Sequence, residues 1–107
     1  MVSITYIEYG GTEHRLAVAV GDTLMRAAVS NGVRGIDAEC GGACACATCH
    51  LYIDNSWVAE VGPPSGFEAD LLQFAPGRQA NSRLGCQVAV TERLNGLIVR
   101  IPASQKE

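Results

Sequence analysis

Four of the five cysteines fall within ten residues, Cys40, Cys44, Cys46 and Cys49, and the fifth, Cys86, arrives 37 positions after Cys49. A disulfide scaffold spreads its cysteines to staple distant loops, whereas here the first 39 residues and the last 21 hold none. Crowded thiols point to metal binding in a reducing compartment. Cys40, Cys46 and Cys49 form C-x5-C-x2-C, and with Cys86 they supply the four thiolates that a 2Fe-2S cluster takes. Two ligands separated by two residues reach one region of such a cluster, while the longer arm lets the backbone curl around the inorganic core. Gly41, Gly42, Ala43, Ala45 and Ala47 are small enough for that curl, so that backbone N–H groups point at the sulfurs. The three alanines would also give a redox partner a low-profile contact. Cys44 fits neither gap and is expected to be a small, half-buried non-ligand.

Four cysteines also bind zinc, but zinc ribbons use two knuckles of the C-x2-C or C-x4-C kind, and here the fourth cysteine stands alone after Leu84-Gly85. Rieske-type ligation needs two histidines on one iron. His50 directly follows Cys49, but the other histidine, His14, lies far away in the first hairpin. His50 is therefore expected to tie the loop to the fold by a hydrogen bond. Two ferric ions, two sulfides and four thiolates carry about −2, and about −3 once reduced. Added to the formal chain charge of −3, reduction puts an electron on an already negative site, so the potential is expected below zero.

The elements that must hold these ligands follow from periodicity. Val2, Ile4 and Tyr6 alternate with polar residues, Gly10-Gly11 turns the chain, and Leu16, Val18 and Val20 alternate again, which predicts an N-terminal hairpin. Asp22 is the expected N-cap of a helix over about residues 23–31, with Leu24, Ala27 and Ala28 on one face and Gly32 as the stop. From Val33 to Thr48 periodicity disappears, as in a loop wrapped around something. A short strand from His50 to Asp54 follows. Pro63-Pro64-Ser65-Gly66 then breaks the chain before a helical piece, Phe67 to Phe74, with Leu71, Leu72 and Phe74 available for burial. Gln87 to Val90 and Leu97 to Ile101 read as two more strands. Trp57 is assigned to the core as a large aromatic. The order predicts an α+β domain with one mixed sheet packed on a main helix, a single domain over residues 1–107.

With 107 residues, 48% of them hydrophobic, the chain has enough apolar material for one core. Eight basic against eleven acidic residues form no basic stripe, so nucleic acid is not an expected partner. The N-terminus lacks the pattern of a signal peptide and no apolar run is long enough for a bilayer, which predicts a cytoplasmic protein, monomeric and without a membrane partner.

The stretch Cys40 to His50 resembles the cluster loop of the adrenodoxin and putidaredoxin type of 2Fe-2S ferredoxin, as does Asn81-Ser82-Arg83-Leu84-Gly85-Cys86-Gln87. Gly35 to Glu39 and Leu97 to Pro102 extend the likeness over nearly the whole chain. The resemblance implies a β-grasp (ubiquitin-like) ferredoxin fold. It also implies a carrier, not an enzyme, that takes single electrons from an FAD-containing ferredoxin reductase and delivers them to a cytochrome P450. In this family an acidic helix between the third and fourth ligands docks basic partner surfaces, which places Glu68 and Asp70 at docking positions, with Glu39 at the loop rim. Gly66, Phe67 and Gln73 depart from the acidic residues common there in mammalian members. A second task in the same group is electron donation during iron-sulfur cluster assembly. A structural zinc module is the more distant alternative.

Overall fold

The computed structural model describes residues 1–33, 50–64, 66–75 and 77–102. Strand β1 (Val2–Ile7) turns inward Val2, Ile4 and Tyr6, and pairs antiparallel with β2 (Glu13–Val18) from Val2↔Val18 to Ile7↔Glu13. Between them the Gly11 amide donates to the Glu8 carbonyl and the Glu8 amide to that of Thr12, with Gly11 at φ 101°. Helix α1 (Leu24–Ser30) begins one residue later than Asp22 capping would have it. The cap is Thr23, whose Oγ1 accepts from the Arg26 amide at 3.1 Å, while Asp22 accepts from the amide of Thr23 itself. At the other end the Gly32 and Val33 amides donate back to the Val29 and Ala28 carbonyls, with Gly32 at φ 73°, so the expected glycine stop is a left-handed Schellman turn. Leu24, Met25, Ala27 and Ala28 face the core.

After β3 (His50–Ile53) come a 3-10 turn at Asn55–Trp57 and helices α2 (Val58–Val61) and α3 (Phe67–Leu72). Strands β4 (Ser82–Leu84) and β5 (Leu97–Arg100) complete a five-stranded sheet in the order β2-β1-β5-β3-β4. The first and last strands lie side by side in parallel, and every other pair is antiparallel. This mixed sheet with α1 packed on it is the β-grasp arrangement. Its core joins Ile4, Tyr6, Leu24, Leu51, Leu72, Leu84, Leu97 and Val99, all inaccessible to solvent. The Tyr6 hydroxyl donates to the Leu24 carbonyl at 2.8 Å, pinning the start of α1 to the middle of the sheet. Burial and the nearby Asp22 carboxylate push that hydroxyl's pKa well above the ordinary tyrosine range.

Three further local expectations change. Residues 87–90 form no strand of their own. Val88 and Val90 are buried, which is the alternation read in the sequence, but their backbone bonds go to the chain entering α1: the Leu24 amide to the Val88 carbonyl, the Val90 amide to that of Asp22, and one bridge at Thr23↔Ala89. The strand lies earlier, at Ser82–Leu84, where three consecutive buried residues leave no alternation to read. Phe74 is 76% exposed. It follows the end of α3, whose inward face is already filled by Glu68 and Leu72, four residues apart. Trp57 is half-buried rather than enclosed, packed against the core edge beside Gly96.

Candidate metal centre

Cys86 sits in a single 3-10 turn, Gly85–Gln87, directly after β4, and is buried. The turn packs against α1 and is held from both sides. Behind it, β4 is locked to β3, and ahead of it Val88 and Val90 are bonded to the entry of α1. The register sets His50 opposite Leu84. That ties the chain just after the Cys40–Cys49 segment to the chain just before Cys86, so two stretches far apart in sequence meet at one end of the sheet. Cys40, Cys44, Cys46 and Cys49, with Glu39, Gly41, Gly42 and Ala45, lie outside the described residues, as do Ala43 and Ala47.

His50 is fully buried and shares a 2.7 Å hydrogen bond through Nε2 with Ser82 Oγ, whose oxygen also accepts from the Gln79 amide at 2.8 Å. Its ring stands edge-on to Tyr52, 4.8 Å away. The first residue after the cysteine-rich segment is thus fastened through its side chain to the strand that delivers Cys86.

Sequence reasoning missed Arg83, which organises this end of the molecule. Its Nε and Nη2 donate to the two carboxylate oxygens of Glu68, at 2.5 and 2.9 Å, and its Nη1 donates to the Gly62 carbonyl at 2.9 Å. The Leu84 amide donates to the same carboxylate at 2.9 Å. The pair is buried, with 10% of the Arg83 side chain and 5% of that of Glu68 exposed. The docking position expected for Glu68 is therefore corrected: a carboxylate turned inward and fully engaged is not offered to a partner's basic surface. Its chain position on an acidic-looking helix suggested a surface charge, and only its partner fifteen residues away reveals otherwise. Asp70 is exposed, as are Phe67 at the start of α3 and Phe74 just beyond its end, 82% and 76% exposed.

The described part of the site fits an iron-sulfur ligand. A thiol enclosed on a rigid turn, with the Gln87 Nε2 donating to its sulfur at 3.5 Å, is a place where a thiolate is desolvated and yet met by a donor. The 2Fe-2S iron-sulfur cluster binding domain family matches residues 7–91. The chain belongs to the 2Fe-2S ferredoxins of the putidaredoxin type. As a ferredoxin it is an electron carrier with a 2Fe-2S cluster, not an enzyme. Ferredoxin CarAc of a Sphingomonas species is 45% identical over 97% of this chain and 95% of its own. A crystal structure of a ferredoxin from Rhodopseudomonas palustris HaA2 superposes with a TM-score of 0.93 at 44% identity, covering 97% of this chain and 99% of that one. Putidaredoxin in its covalent complex with putidaredoxin reductase superposes at 0.89, with 39% identity over 94% of this ferredoxin and 97% of that chain. Among the described residues no helix is long and apolar enough to cross a membrane.

Proposed function

We propose that this ferredoxin, as one domain over residues 1–107, carries single electrons from an FAD-containing ferredoxin reductase to a cytochrome P450. Cys40, Cys46, Cys49 and Cys86 are the ligands in this reading. When bound, the 2Fe-2S cluster supplies a one-electron couple. The chain's part is to hold it by four thiolates and to keep it rigid through the β3–β4 pairing. The observation that carries the reading is the likeness, at 39% identity and a TM-score of 0.89, to a putidaredoxin captured with its reductase.

Partner recognition falls to the surface of α3 and to Glu39 at the rim of the cysteine-rich segment. With Glu68 occupied by Arg83, Asp70 is the acidic residue of α3 that faces solvent. The test is reconstitution: purified holoprotein, a flavoprotein ferredoxin reductase, NADH and a bacterial P450 under carbon monoxide. Formation of the ferrous–carbonyl P450 spectrum only when the ferredoxin is present is the expected result. Reduction of the ferredoxin by the reductase with no onward transfer to any P450 would instead direct attention to electron donation in cluster assembly, and failure at the first step would remove the reductase as well.

A further inference from the structure

Gln87 has no task in the reading above, yet its placement is specific. It closes the Gly85–Gln87 turn, and its side chain is on the exposed side of the alternation that buries Val88 and Val90. A glutamine so placed is able to extend into water. Instead its carboxamide folds back, Nε2 donating to Cys86 Sγ at 3.5 Å and to the Cys86 carbonyl at 3.4 Å. The turn beneath it is fixed by buried neighbours on both sides, Leu84 and Val88, so the donor and the sulfur are held to one another by short-range geometry.

We propose that Gln87 is a potential-setting residue: its amide N–H stabilises the reduced centre more than the oxidised one through the Cys86 sulfur. Reduction adds one electron and moves the centre and its four thiolates from about −2 to about −3, with no bond made or broken and no proton required. Part of the added charge resides on the sulfurs, and a hydrogen bond to an acceptor strengthens as that acceptor gains negative charge. Gln87 lies at the protein–water boundary, where its donation replaces a less ordered interaction with solvent. The inference rests on Cys86 being a ligand.

The experiment is a spectroelectrochemical titration of holoprotein carrying Gln87→Met, which keeps the side-chain length and removes the donor. At a fixed ambient potential the ratio of reduced to oxidised protein is expected to fall by about three- to tenfold, tenfold being a midpoint lower by about 59 mV for a one-electron couple. An unchanged midpoint overturns the inference. Because Gln87 is exposed, the variant is expected to fold and load normally, which its thermal midpoint and iron content report. Cys86→Ser distinguishes the two ways of failing. If it leaves the visible spectrum as in the parent, Cys86 is not a ligand and both readings fall. If it alters or abolishes that spectrum while Gln87→Met leaves the midpoint unchanged, the ligand stands and Gln87 has no hold on the potential.

Discussion

At the scale of single residues, cysteine and glutamate behave oppositely as sources of inference. Thiolate ligation depends on residue type and spacing, and on their intervals Cys40, Cys46 and Cys49 are the proposed ligands and Cys44 is not. The consequence is direct. Cys44→Ala is expected to leave the visible absorption spectrum and the iron and sulfide content unchanged, while serine at any of the other four alters or abolishes that spectrum. Loss of colour in Cys44→Ala would mean that the wrong four were chosen. Glu68 shows the reverse. Its type suggests a solvated helix face, but whether it meets water or Arg83 depends on where α3 lands on β4, and no local pattern encodes that.

At the scale of elements, the buried Glu68–Arg83 pair is the clamp that holds α3 and the end of α2 against β4, two residues before Cys86. Removing one partner leaves the other charge buried and unpaired, so Arg83→Leu or Glu68→Gln is expected to lower unfolding stability by about 3 kcal/mol. The double substitution should cost much less than the sum of the two, since neither charge is then orphaned. Chemical denaturation of the three variants checks this, and simple additivity would show that the two groups act independently. Elsewhere in the sheet, Asp54 joins the end of β3 to β5. Hydrogen bonds from Ser56, with Arg100 next, hold its carboxyl down from 3.8 to about 2. A carboxyl lowered on folding stabilises the native state fully above its unfolded pKa and loses that contribution as pH falls through the folded value. Asp54→Asn is therefore expected to lower the thermal midpoint at pH 7, and the gap to the parent is expected to close between about pH 4 and about pH 2. A gap that persists unchanged at low pH in melts followed by circular dichroism would show that the carboxylate's charge is irrelevant there.

At the scale of the whole molecule, the centre draws its proposed ligands from two places, residues 40–49 and residue 86, and the sheet brings their flanks together through His50 and Leu84. A group bound by the native state alone adds its binding free energy to stability. Removing iron with a chelator under reducing conditions is accordingly expected to lower the melting temperature by many degrees. An apoprotein melting with the holoprotein would mean that the fold is complete without it.

The hairpin, α1 and β5 were legible because each is an amphipathic segment long enough to show a period, and β3 as a short apolar run, while the proposed ligand set rests on cysteine spacing, which is local. The resemblance to putidaredoxin-type ferredoxins then implied the fold. What the amino-acid order could not disclose was β4, the true partners of residues 87–90 and the inward turn of Glu68. β4 is buried on all sides and carries no alternation, Val88 and Val90 pair with the entry to α1 more than sixty residues upstream, and the Glu68 carboxylate is neutralised by a residue fifteen positions away. Each depends on a contact between distant segments, which exists only once the sheet has assembled in the order β2-β1-β5-β3-β4.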